Sequence, residues 1–158
     1  MNKYVILTDT RQQKESHILK KFDENKILHI RTTLPSADYM ALRFDDEKGM
    51  YMDYSTLIDT KKDLEEISGN LCSANHERIK REIAKGKELG CENFIFLIGD
   101  NKIKTKEDLI NWSSNKTKVK GSVLVKVMKT MKERYNVRFI IVPKKEVGNK
   151  VIELLGGK

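Results

Sequence analysis

Asn93-Phe94-Ile95-Phe96-Leu97-Ile98 is apolar at every position after the first. A short run of this kind, rich in aromatic and β-branched side chains, reads as a buried strand. On its N-terminal side, Ser73 to Leu89 is patterned as a helix, with Ile79, Ile83 and Gly86 on one face and Gly90 as a C-terminal stop. On its C-terminal side, Thr105-x-x-Asp108 resembles a capping box, with Asp for the usual Glu or Gln, and opens a short helix up to Trp112. After a polar loop, Val123 to Tyr135 is helical, with Leu124, Val127, Met128 and Met131 at helical spacing. Val137 to Val142 is a last strand, and Val147, Val151, Leu154 and Leu155 line a closing helix. Strand and helix alternate through this half, which is the signature of parallel βαβ units.

Toward the N-terminus the pattern changes. Tyr4 to Thr8 reads as a buried strand, and Ile18, Leu19 and Phe22 mark one face of a helix from about Lys14 to Asn25. Ile27 to Thr32 is a second strand, broken before Pro35, and Tyr39 to Phe44 a third. Asp45-Asp46-Glu47-Lys48-Gly49 is a hairpin-like turn into a strand from about Met52 to Thr60, so this half is expected to be antiparallel. No linker, repeat or low-complexity stretch interrupts the chain. The expectation is one α/β domain over residues 1–158, built on a mixed sheet.

Composition narrows the function classes. Lys and Arg number 31 against 23 Asp and Glu, a formal charge of +8, which favours a polyanionic partner. Cys72 and Cys91 are far apart and have no companion at metal-ligand spacing. They fit a reducing cytoplasm and no disulfide framework. The start, Met1-Asn2-Lys3-Tyr4, shows no signal peptide, and no apolar run approaches the roughly 18 residues that span a bilayer. A soluble cytoplasmic protein without a membrane partner is expected.

The chemistry is concentrated in Leu57-Ile58-Asp59-Thr60-Lys61-Lys62. Alternate strand residues share a face, so Asp59 and Lys61 point the same way while Ile58 packs on the other side. The carboxylate can hold Mg²⁺, which prefers hard oxygen ligands, and the ammonium can position a water and offset phosphorane charge. A second carboxylate must come from a neighbouring strand, and Asp38, just after Leu34-Pro35-Ser36-Ala37, is the best placed. Asp9, at the end of the first strand, is another that can converge on the same sheet edge. Taken alone, Asp-x-Lys is as consistent with a surface ion pair of little worth.

Asp9-Thr10-Arg11-Gln12, then Ala37-Asp38-Tyr39, then Ile58-Asp59-Thr60-Lys61 resemble, in order, the motifs of the XPF-type excision-repair nuclease domain. That family shows Asp-x-Arg-Glu, Gly-Asp and Glu-Arg-Lys-x-x-x-Asp, within the PD-(D/E)XK group. The segments Asp63 to Asn70, Asn75 to Arg78, Trp112, Gly121 and Tyr135 to Phe139 resemble short stand-alone members often encoded by phages and mobile elements. The resemblance implies a restriction-endonuclease-like mixed sheet flanked by helices. It also implies a Mg²⁺- or Mn²⁺-dependent endonuclease acting on branched, flapped or otherwise structured DNA in repair or recombination. By residue, Asp38 and Asp59 would hold the metal, Lys61 would serve the attacking water, and Asp9 and Arg11 would complete the site, with Arg11 on the scissile phosphate.

The departures are specific. Ala37 stands for the family's Gly, Asp59 for its Glu, Thr60 for its central Arg and Gln12 for the Glu of the first motif. The final Asp falls at Glu65, with Glu66 an equal claimant. The two-helix-hairpin module that many relatives carry has no counterpart within residues 1–158, and a nuclease domain without it is the expectation. Thr60 and Gln12 keep a second reading open, a DNA-structure-binding module that cuts weakly or not at all beside a partner. Arg78, Arg81 and Lys85 either reach a DNA backbone or form a solvated face with Glu77 and Glu82. Lys102, Lys104 and Lys106, with Lys116, Lys118 and Lys120, flank Trp112 and suit a strand-gripping loop, Trp112 itself being read as packing. The stripes Leu124, Val127, Met131 and Val151, Leu154 suit either the chain's own core or a homodimer through the C-terminal helices.

Overall fold

A computed structural model describes residues 3–12 and 15–156; Lys14, where the sequence places the start of the first helix, lies outside them. Six strands form one sheet: β1 (Lys3–Asp9), β2 (His29–Thr32), β3 (Tyr39–Asp45), β4 (Gly49–Lys61), β5 (Asn93–Gly99) and β6 (Val137–Val142). Their order is β2-β1-β3-β4-β5-β6. The helices are α1 (Ser16–Glu24), α2 (Leu64–Leu71), α3 (His76–Glu88), α4 (Lys106–Asn111), α5 (Gly121–Tyr135) and α6 (Val147–Gly156), with a 3-10 turn at Lys144–Glu146.

The expected parallel arrangement of the C-terminal half is present, since β4, β5 and β6 pair in parallel. The N-terminal half is antiparallel where β3 pairs with β1 and β4. It is not antiparallel throughout, because β2 pairs with β1 in parallel. The reason is α1: a strand returning through a helical crossover re-enters the sheet in its original direction, whereas a tight hairpin reverses it. Only β3 therefore runs against the rest, and β1, β4 and β5 present their C-terminal ends on one edge.

Each face of the sheet is covered by its own apolar layer. Leu64, Ile67 and Leu71 of α2, Ile79 and Ile83 of α3, and Leu124, Met128 and Met131 of α5 pack over Leu57, Phe94, Phe96 and Ile98. On the other face, Ile18 and Phe22 of α1 and Val147, Val151 and Leu155 of α6 cover Ile6, Tyr39, Ile58, Ile95 and Leu97. The stripes on α5 and α6 are thus spent largely in the chain's own core. Alternate residues of β4 and β5 serve opposite layers, which is why their sequences read as nearly continuous apolar runs.

Two local features set up the edge. In β4 the pairing jumps from Tyr39↔Ile58 to Ala41↔Asp53, so five steps of β4 stand against two of β3. Such a bulge re-aims the strand's last residues. The helix expected from Ser73 begins at His76, and a separate helix, α2, precedes it. Asp63 caps α2 by accepting from the Glu66 backbone N–H at 2.9 Å, and Glu66 Oε1 accepts from Lys62 N at 2.9 Å.

Candidate active site

Asp9 ends β1, Asp38 immediately precedes β3, and Asp59 lies near the end of β4, so adjacent strands deliver the three carboxylates to one edge. The backbone stitches them together: Asp9 N donates to Asp38 O and Asp38 N to Ile58 O, both at 2.9 Å. Ala37, at the turn into Asp38, has φ 63°, the left-handed region that favours glycine. Its N–H donates to Glu82 Oε1 of α3 at 2.7 Å, and the Ser36 hydroxyl donates to Glu82 O at 3.0 Å. A helix residue with no signal in the strand motifs thus clamps the turn that carries Asp38.

Asp38 and Asp59 are in direct contact. Burial, then the charge of Asp59, pushes the Asp38 carboxyl well above the usual carboxylate range, against the Thr60 N–H that favours its anion. Lys61 Nζ stands 3.1 Å from Asp59 Oδ2. Burial works against the Lys61 ammonium, but Asp59, with Glu66 and Asp38 behind it, outweighs burial and raises its pKa. Two buried carboxyls in contact beside a held ammonium are a place where added positive charge is favourable. They also supply the one or two carboxylates by which Mg²⁺ is commonly held, the remaining positions going to water and phosphate. The donor set therefore fits a divalent cation open to the cleft, although among the described residues no three His, Cys, Asp or Glu side chains form a closed ligand group.

Asp9 is employed differently. Its Oδ1 accepts from Leu34 N at 2.9 Å and from the Arg11 guanidinium at 3.2 Å, and its Oδ2 accepts from Arg11 Nε at 2.8 Å. Arg11 also donates to Leu34 O at 2.7 Å. The hydrogen bonding of Arg11 to the Asp9 carboxylate is the main cause of a raised Arg11 pKa. With Asp9 holding one flank, the exposed guanidinium is fixed at the rim of a cleft of about 600 Å³ that Asp38, Asp59 and Lys61 also line.

The same cleft receives Arg78 and Glu82 from α3, Glu66 from α2, and Lys144 from the turn after β6. Of the two claimants for the last motif acid, Glu66 is at the cleft; Glu65 instead accepts from the Ser114 hydroxyl at 2.6 Å and from Asn115 N. Arg81 is exposed and is not among the cleft-lining residues. Lys116, Lys118 and Lys120 are exposed on a loop closed by a Ser113↔Lys120 bridge and anchored to α2 by Glu65, also away from the cleft lining. Trp112 packs against the core. Glu82, Lys144 and His17 were not singled out for the site by sequence, since each reaches the cleft only through tertiary packing.

Comparisons with known proteins bear on the family and the fold. The family model described as the ERCC4 domain matches residues 8–154. XPF from Aeropyrum pernix superposes with a TM-score of 0.67 at 13% identity, over 96% of this chain and 64% of that one. Its structure in complex with DNA gives the same TM-score and identity over 98% of this chain and again 64% of the other. The chain thus spans less than two thirds of the length of the XPF chain it superposes on, and at that identity the likeness is one of fold. No curated protein matches in sequence.

Proposed function

The chain belongs to the ERCC4 domain family, an XPF-type nuclease domain, and on that premise we propose that it is a divalent-metal-dependent endonuclease that hydrolyses phosphodiester bonds in branched or structured DNA. The observation that carries this reading is the contact of Asp38, Asp59 and Lys61 at adjacent strand ends, inside a cleft rimmed by Arg11, Arg78 and Lys144.

Asp38 and Asp59 would hold Mg²⁺ or Mn²⁺, which when bound supplies Lewis-acid polarisation of the phosphate and a more acidic water. Lys61, fixed by Asp59, donates to the attacking water or to a non-bridging oxygen as negative charge builds. Arg11 is held in place by Asp9 and Leu34 O, so its free edge meets the scissile phosphate without further ordering. Asp9 accordingly serves as the holder of Arg11 in preference to a metal ligand. Arg78 and Lys144 take flanking phosphates. Lys116, Lys118 and Lys120 reach DNA beyond the cleft.

The test is cleavage of labelled duplex, single-strand, flap, fork and four-way-junction DNA with Mg²⁺, Mn²⁺ or EDTA. Metal-dependent cutting of a branched substrate is expected, falling at least about a hundredfold in D59N and in K61A while DNA binding persists. The loss of two charged motif residues at Gln12 and Thr60 is what motivates the second reading, a structure-binding module that cuts weakly or not at all beside a partner. Salt-sensitive binding with no cutting by the unmutated protein under any metal would establish it.

A further inference from the structure

Gln12 and Thr60, the positions at which charged motif residues are replaced by neutral ones, touch one another. Gln12 Nε2 donates to Thr60 Oγ1 at 2.5 Å, and Thr60 Oγ1 donates to Asp38 Oδ2 at 3.1 Å. The Thr60 backbone N–H meets the same oxygen at 2.8 Å. A hydroxyl has one proton to give. With an amide N–H on its lone pair, the Thr60 oxygen is an acceptor toward Gln12, and its proton is left for Asp38. A carboxylate at position 12 would compete for that proton. Gln12 is itself fixed, because Arg31 donates to Gln12 O at 2.8 Å and to Thr10 O at 2.9 Å while bound to Glu15 at 2.7 Å.

We propose that Gln12 is a positioning residue that acts through Thr60: it sets the direction of the Thr60 hydroxyl, which locks Asp38 Oδ2 and leaves the rest of that carboxyl to Asp59 and the cation. The two neutral replacements are one paired change that preserves the site. This rests on Asp38 and Asp59 being the cation ligands, as in the function proposed above.

The experiment is a double-mutant cycle on Mn²⁺ binding to the DNA-free protein, read by calorimetry, with Q12M, T60V and the pair. Circular dichroism checks that each variant is folded. Q12M and T60V should each weaken Mn²⁺ binding about five- to tenfold, the worth of one neutral hydrogen bond. Q12M should cost nothing further in the T60V background, and T60S, which keeps the hydroxyl, should bind within about twofold of the unmutated protein. Equal losses from Q12M in both backgrounds would overturn the inference and leave the nuclease reading standing. No Mn²⁺ binding by the unmutated protein would overturn both.

Discussion

Ala37 is where a single dihedral angle decides how the site is built. A non-glycine residue in the left-handed region carries a penalty of about 1–2 kcal/mol, and Ala37 sits there at φ 63° with its methyl group buried. In an ordinary strand, Ala→Gly loses about 0.8 kcal/mol of methyl burial plus roughly 0.5–1 kcal/mol of backbone entropy. At Ala37 relief of the left-handed penalty offsets that loss. A37G should therefore unfold in urea within about 0.5 kcal/mol of the unmutated protein. A41G, at a buried position in β3, should lose about 1.5 kcal/mol. A loss as large at A37G would show that the turn carries no strain. The clamp on this turn, Glu82, has no counterpart in the motif pattern, because its contact with Ala37 spans 45 positions of chain.

At the scale of elements, the bulge in β4 is held by one partly buried ion pair. Arg43 Nε meets Asp53 Oδ2 at 2.5 Å, and the same guanidinium donates to Leu155 O of α6 at 2.6 Å. Asp53 also accepts from Ser55 N and Oγ, which closes the local turn. R43M strands a half-buried carboxylate and frees the end of α6, so thermal or urea unfolding should report a loss of about 3 kcal/mol. Burial pushes the Asp53 carboxyl up, but the bonds from Arg43 and Ser55 outweigh it and leave its pKa below the ordinary value. A lowered folded pKa adds stability that is complete above the unfolded value, near pH 4, and is lost as pH falls through the folded one. D53N should therefore be less stable than the unmutated protein at pH 7, and the gap should narrow as the pH falls below about 4. A gap that stays constant to pH 2 would remove Asp53 from the acid response.

For the whole molecule, the separation between cleft and loop predicts two kinds of salt and rate behaviour. Arg78 lines the cleft, whereas Lys116, Lys118 and Lys120 stand outside it. Each phosphate contact contributes about −0.9 to the slope of log K against log salt on duplex DNA. R78A should flatten that slope by about one contact and also lower kcat, since it displaces the strand at the reacting centre. The triple change K116A/K118A/K120A should raise KM and flatten the slope while leaving kcat within about twofold. The opposite pattern would place the scissile strand at the loop.

The sequence by itself determined the strands, their buried runs, most helices and the order of Asp9, Asp38, Asp59 and Lys61, because those depend on periodicity and on residues only a few positions apart. Among the departures from the motifs, it also located the two that replace a charged residue by a neutral one, Gln12 and Thr60. Tertiary structure decided the rest. Parallel pairing of β2 follows from how α1 crosses back, and the different partners of Asp9 and of the Asp38–Asp59 pair follow from which distant groups surround each carboxylate. The choice of Glu66 over Glu65 at the cleft turns on the cap that starts α2, and Glu82, Lys144 and the Gln12–Thr60 contact exist only once distant segments meet. Local pattern encodes which way a side chain faces along its own element. Which group it then meets depends on close packing between elements, and no spacing along the chain records that.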